Sequence, residues 1–344
     1  MFFSHSPKIS ICIPLFNSER FLESCLKSVK NQVAPDGLSE KEFLEVIVVN
    51  DASESEIDGE EIVKKFRKSV KFKVSYFVHE ENKGLVEARR TAIYEAKGKY
   101  ILILDSDDAL TENAAKILYE KAEESDADIV QGRANVYFSE NVENLLDDNA
   151  EKVEKFRKSR FEKANKMVLG ELKGSDIFDG FLVNKNHIGF LWGKLFKREL
   201  YLEALNHIPP IFCTFAEDFV QYFYLSFHAK KYVGIDAVVY NYSLNTGISS
   251  RAKINDLAKW EKICSTASVF TSIYCDIQEN SLELSKDQKE NLAIQCRSYL
   301  ANNLKNLETA VVPELKSEAR EILGNYWGED FVQEIEEKLK GLVQ

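Results

Sequence analysis

The sequence predicts an α/β fold, a doubly wound and mostly parallel sheet flanked by helices, followed by a helical C-terminal region. Three observations lead there. From residue 8 to about 135, short Val- and Ile-rich runs alternate with stretches of helical periodicity, the pattern of β-α-β units. Acids stand where those runs end, the edge at which such sheets bind ligands. Beyond about residue 253 only helical periodicity remains.

Each element follows from its residues. Residues 8–16 read as a buried strand ending near Pro14, and Ser18 is placed to cap a helix with Phe21, Leu22, Leu26 and Val29 on one face. Residues 44–49 form a second strand that stops at Asn50-Asp51-Ala52-Ser53, followed by a helix over 59–68 and a strand over 72–78. A helix over 82–97, entered through Asn82-Lys83-Gly84, is ended by Gly98 as a C′ glycine would do. A strand at 100–104, a helix at 111–124 and a strand from Asp128 complete the alternation.

From 139 to 175 the chain turns polar, and Lys152, Lys155, Arg157, Lys158, Arg160, Lys163 and Lys166 outnumber the acids. That run reads as a solvated helical face or as a basic patch for an anionic acceptor or lipid headgroup. Residues 215–228 read as an aromatic helix opened by Glu217-Asp218, and 232–243 as the last strand. The C-terminal helices carry two apolar stripes, Leu292, Cys296, Tyr299, Leu300, Leu304 and Leu307, then Ile322, Leu323, Tyr326, Phe331, Ile335 and Leu339. A boundary near 252 divides the main domain, halves 1–135 and 136–252, from the helical region 253–344.

At 344 residues, the chain has room for one large domain and an appendage. A net charge of −11 argues against nucleic acid as a partner, because phosphate backbones attract basic surfaces. The six cysteines show no C-x-x-C pair, and Cys12 and Cys296 read as buried thiols, which fits a reduced cytoplasmic setting. Met1-Phe2-Phe3 does not open a signal peptide, and no run of about 18 apolar residues occurs, so membrane contact is expected only from the surface, peripherally at the inner face.

The chemistry concentrates at Tyr100-Ile101-Leu102-Ile103-Leu104-Asp105-Ser106-Asp107-Asp108. An apolar run ending in three carboxylates needs a counter-charge. Hard oxygen donors at a strand end suit Mg²⁺ or Mn²⁺, which in turn would hold a diphosphate; the alternative is a solvated acidic turn before a helix. No G-x-G-x-x-G and no phosphate-loop lysine signature occurs. His187, His207 and His228 form no i,i+4 pair among themselves and read as structural.

Four ordered blocks then point to a family: Ile11-Cys12-Ile13-Pro14-Leu15-Phe16-Asn17, Val46 to Ser53, Asn82 to Arg89, and Asp105-Ser106-Asp107-Asp108. With Trp192-Gly193-Lys194-Leu195-Phe196-Lys197-Arg198 and Glu217-Asp218 behind them, the chain from 8 to 250 resembles glycosyltransferase family 2, inverting nucleotide-sugar enzymes of GT-A fold. The resemblance implies a bacterial transferase moving a hexose or N-acetylhexosamine from a UDP-sugar to a glycan or lipid-linked acceptor. Mn²⁺ or Mg²⁺ would be its cofactor.

By that resemblance the donor site comprises Pro14, Phe16, Asn17, Asp51, Lys83, Arg89, Asp105, Ser106, Trp192 and Lys194. Asp51 would meet the uracil N–H or else cap a turn, Asp105 the ribose, and Asp107 the metal. Arg89 would offset phosphate charge or anchor Asp105, and Trp192 would stack on a sugar or pack in the core. Asp218 would be the base, and Glu217 would hold hydroxyls. Similar enzymes follow a Tyr-rich strand with an Arg and a His near the metal. Here Asn245 stands at the His position and Arg251 follows, which leaves the third metal-side ligand open. A nucleotidyltransferase would need a glycine-rich N-terminal loop that residues 8–25 lack, and a non-catalytic module would have shed acids that this chain keeps. The C-terminal stripes leave open a homodimer surface, a membrane-facing plate or a lid.

Overall fold

The computed structural model describes residues 6–138, 150–213, 215–244, 253–279 and 282–341. The first half runs β1 (Ile9–Leu15), α1 (Glu19–Lys30), α2 (Glu40–Phe43), β2 (Leu44–Asn50), α3 (Gly59–Lys68), β3 (Lys73–Val78), α4 (Leu85–Glu95) and β4 (Tyr100–Ile103). After it come β5 (Ala109–Leu110), α5 (Ala114–Ser125), β6 (Ile129–Phe138), α6 (Ala150–Ala164), β7 (Gly170–Lys173), α7 (Ser175–Leu182), β8 (Lys194–Lys197), α8 (Arg198–Asn206), α9 (Glu217–His228) and β9 (Lys231–Leu244). The C-terminal helices are α10 (Leu257–Cys264), α11 (Thr266–Glu279), α12 (Lys286–Thr309), α13 (Lys316–Trp327) and α14 (Glu329–Gly341).

The α/β sheet with flanking helices is as expected. Its order is β3-β2-β1-β4-β8-β6-β9-β5, with β7 also on β9. The run β3-β2-β1-β4 is parallel. Beyond β4 the sheet is mixed, because β8 inserts antiparallel to both β4 and β6, and β5 and β7 lie antiparallel on β9. These short strands are reached through loops, and antiparallel pairing requires no crossover helix.

Strand periodicity sends alternate side chains to two cores. Ile9, Ile11, Ile13, Val46, Val48 and Leu102 pack with α1, α3 and α5. Cys12, Ile47, Val49, Ile101 and Ile103 face α4, α8 and α9 on the other side. Gly98 follows the end of α4 but acts differently from a left-handed cap. A Cβ there would lie 2.6 Å from the backbone nitrogen of Ser10, so glycine lets the chain pass close to β1.

The C-terminal helices pack onto the sheet domain. Phe270 of α11 lies 5.5 Å from Phe219 of α9, ring to ring, and 6.0 Å from Trp327. Trp260 is fully buried and donates to the Ala319 carbonyl at 2.7 Å. The first apolar stripe is buried at Leu292, Cys296, Leu300, Leu304 and Leu307, while Tyr326 and Leu339 of the second stay exposed. No helix among the described residues is long and apolar enough to cross a membrane. All six cysteines are free.

Candidate active site

The carboxyl ends of β1, β2 and β4 converge on one edge of the sheet. Two loops there are tied together: Asn17, at φ 52°, donates its backbone N–H to the Ser53 hydroxyl at 3.0 Å and accepts from the Glu54 amide at 2.8 Å. Pro14 is buried inside β1, Phe16 is half-buried, and Asn17 is exposed. Beside them lies Asp51, 2% exposed. Its carboxylate accepts from the amides of Lys83 at 2.9 Å and Gly84 at 2.8 Å, and lies 2.6 Å from His79 Nδ1. Asp51 therefore holds the entrance to α4, where Gly84 adopts φ 88° that a side chain would resist. It keeps acceptor capacity on Oδ2 for one further donor.

The acids after β4 are each handled differently. Asp105 accepts from Arg89 Nη2 at 3.2 Å, and its own amide donates to the Tyr240 hydroxyl at 3.1 Å. Ser106 is buried, and its hydroxyl lies 2.6 Å from that of Ser18, which stands at the start of α1 with no cap bond of its own. Asp108 is 3% exposed and bonds the Tyr240 hydroxyl at 2.9 Å and the Ser243 amide at 2.6 Å. Burial, then Asp105 and Asp107, push its carboxyl well above the ordinary range. Asp108 thus fastens the acidic turn to β9. Asp107 stays half-buried.

The acid pair opens α9 behind a strained residue: Ala216 sits at φ 66°, left-handed backbone that alanine disfavours. Arg89, 1% exposed, reaches Asp218 Oδ1 from Nη1 at 2.7 Å while holding Asp105 with Nη2. One guanidinium thereby joins the two acid groups. Burial works against its charge, but Asp218 and Asp105 outweigh that and keep it protonated. Burial and the neighbouring Asp218 push Glu217 up to about 8, with Arg89 opposing. Asp218 is raised as well, by burial first, with Arg89 again opposing.

Lys194 is fully buried under this pair, donates to the Phe190 carbonyl and lies 4.9 Å from the Tyr222 ring centroid. Burial pulls it down to about 7, against the upward pull of Asp218. Trp192 is 6% exposed and stacks on Phe190, Tyr240 and Tyr242 at 4.8–5.0 Å, the packing alternative rather than an open sugar platform. Lys83 contributes its backbone amide to Asp51. Asn245 and Arg251 lie outside the described residues.

Sequence reasoning missed His79, Tyr240 and the Arg89–Asp218 pair. Tyr240 lies in a Tyr-rich strand that was visible, but nothing local signals a bond to an acid 132 positions away. As a donor set, the strand-end carboxylates fit Mg²⁺ or Mn²⁺, which bind through one or two carboxylates completed by phosphate oxygens and water. A surface hollow of about 600 Å³, lined by Ser24, Lys27, Asn31, Glu112 and Asn241 among others, includes none of the site acids.

Known proteins resemble this chain in sequence and fold. The family model described as Glycosyl transferase family 2 matches residues 10–189, just over half of the chain. Glycosyltransferase GlyA of Streptococcus pneumoniae is 28% identical over 256 residues, 71% of this chain and 32% of GlyA. The chain matches only 32–50% of the length of the first curated relatives. Among solved structures, S. aureus TarS 1–349 in complex with UDP-GlcNAc superposes with a TM-score of 0.53 at 17% identity, over 97% of this chain and 92% of that one. Mannosyltransferase PcManGT of Pyrobaculum calidifontis, in complex with GDP-Man and Mn²⁺, gives 0.52 at 16% identity over 96% and 85%. Both likenesses concern the GT-A fold.

Proposed function

This chain belongs to glycosyl transferase family 2, and we propose that it is a metal-dependent inverting transferase that moves a hexose or N-acetylhexosamine from a UDP-sugar to a glycan or lipid-linked acceptor. Bacterial surface polysaccharide or glycoconjugate assembly is the setting that such chemistry serves. The observation that carries the reading is the Arg89 bridge, 3.2 Å to Asp105 and 2.7 Å to Asp218. It brings the strand-end acids of a donor site to the acid pair that an acceptor requires.

In this reading Asp51 accepts the uracil N–H, Asp105 meets the ribose, and Asp107 would hold Mn²⁺ or Mg²⁺. When bound, that ion supplies Lewis-acid neutralisation of the departing diphosphate. Asp218 offers Oδ2 to the acceptor hydroxyl, since Arg89 holds Oδ1. As the acceptor oxygen bonds the anomeric carbon, the sugar–diphosphate bond breaks on the opposite face and the proton passes to Asp218, inverting the configuration. Its raised pKa makes Asp218 a better base than an ordinary aspartate. Glu217 orients sugar hydroxyls. Residues 1–135 hold the nucleotide, 136–252 the acceptor, and 253–344 form a helical appendage.

The test is a thermal-shift panel of UDP, UDP-sugars and GDP-mannose with and without Mn²⁺. A ligand at 100-fold its Kd adds about 2.7 kcal/mol of stability. Stabilisation by UDP-sugars that requires Mn²⁺ and is lost in Asp107→Asn supports the reading. Stabilisation only by nucleoside triphosphates and sugar phosphates would overturn it.

A further inference from the structure

A second cluster lies at the far end of α9 from the acid pair. Glu203 and His207 sit one turn apart at the end of α8, and His228 closes α9. Their ligand atoms all lie within 4.8 Å of one another, the one such three-residue group among the described residues.

The environment prepares both imidazoles as ligands. His207 Nδ1 lies 3.2 Å from a carboxylate oxygen of Asp276, a buried residue of α11. With Nδ1 donating to Asp276, Nε2 is the ring nitrogen left to act as a ligand, 3.9 Å from Glu203 Oε1. Carboxylate–histidine–metal arrays are built this way. His228 Nε2 is buried without a hydrogen-bond partner, a state that costs about 1–3 kcal/mol when nothing compensates. The two rings stack at 4.7 Å. Arg90 braces the end of α8 by donating to the carbonyls of Leu205 at 3.1 Å and Ile208 at 2.6 Å, so His207 is held where it stands.

We propose that Glu203, His207 and His228 form a structural site for a zinc-class divalent transition metal that ties α8 to α9, with Asp276 positioning His207. Two imidazoles and one carboxylate suit Zn²⁺, Co²⁺ or Ni²⁺ over Mg²⁺ or Ca²⁺, which prefer oxygen alone. Three protein ligands leave a fourth position for water, on the side where Glu203 is exposed. The proposal is independent of the transferase reading.

The test uses the untagged full chain, stripped by chelator and titrated with Co²⁺ in excess Mg²⁺, which occupies oxygen-only sites. The visible d–d absorption of bound Co²⁺ and the Zn²⁺ retained per chain are read. One equivalent with an imidazole-type spectrum is expected. Asp276→Asn should weaken binding about 10–100-fold, and His228→Gln should abolish it. Glu203→Gln, at a surface position that leaves the fold intact, should weaken it at least tenfold, and Asp107→Asn should leave it unchanged. No bound Co²⁺, affinity indifferent to Glu203→Gln and His228→Gln, or loss in Asp107→Asn would each overturn the proposal.

Discussion

The two acid groups of the active site differ in how their charge is managed. After β4, Asp105 and Asp108 are answered by separate partners, Arg89 and the Tyr240–Ser243 segment of β9. At the start of α9, Asp218 is bonded by Arg89, Glu217 feels Arg89 only through its field, and both acids sit behind a strained alanine. In the proposed reading the first group would receive a cation and diphosphate; the second is held in a state of raised basicity. Arg89 couples them, so charge altered on one side is felt on the other.

The largest break in this comparison is Asp218→Asn. It removes the proposed base, and UDP release from a UDP-sugar should fall about 10²–10⁴-fold while donor affinity measured by calorimetry stays level. Arg89→Met comes next. It strands two part-solvated carboxylates on a buried neighbour, and chemical denaturation should show a loss of about 2–3 kcal/mol, below the 3–5 kcal/mol of a fully buried pair. Because Arg89 opposes the rise in the Asp218 pKa, its removal should also move the acidic limb of the rate profile to higher pH.

Glu217→Gln sharpens the comparison through stability. The folded chain holds the Glu217 proton up to about 8, whereas the unfolded chain releases it near the ordinary value of about 4.3. Below about 4.3 both states are protonated and nothing is lost. As pH rises from there to about 8 the folded state binds more protons than the unfolded one, so stability declines. The Gln variant should therefore show a higher Tm than wild type at pH 8 and the same Tm near pH 4. The smallest effect is Ala216→Gly, which relieves left-handed backbone and should add up to about 1 kcal/mol in denaturant titration.

Legibility followed the same divide. β1, β2 and β4 were readable because buried parallel strands are near-continuous apolar runs, and Asp51 and the Asp105 cluster were found because they end such runs. The two residues of β5 and the exposed Gly170–Lys173 strand carry no periodicity to read. Lys194-Leu195-Phe196-Lys197 stood out as a motif, yet four residues do not reveal that the strand runs antiparallel. The sequence left Arg89 between phosphate and Asp105; its bond to Asp218 spans 129 positions and depends on how α4 and α9 pack. Trp192 was likewise open until the stack with Tyr240 and Tyr242 was seen.

The central claim is tested most directly by anomalous diffraction from crystals soaked with UDP and Mn²⁺. Manganese is expected against the Asp107 carboxylate beside the UDP, with Arg89 still bridging Asp105 and Asp218. A manganese ion that does not touch Asp107, or UDP bound away from the ends of β1, β2 and β4, would contradict it.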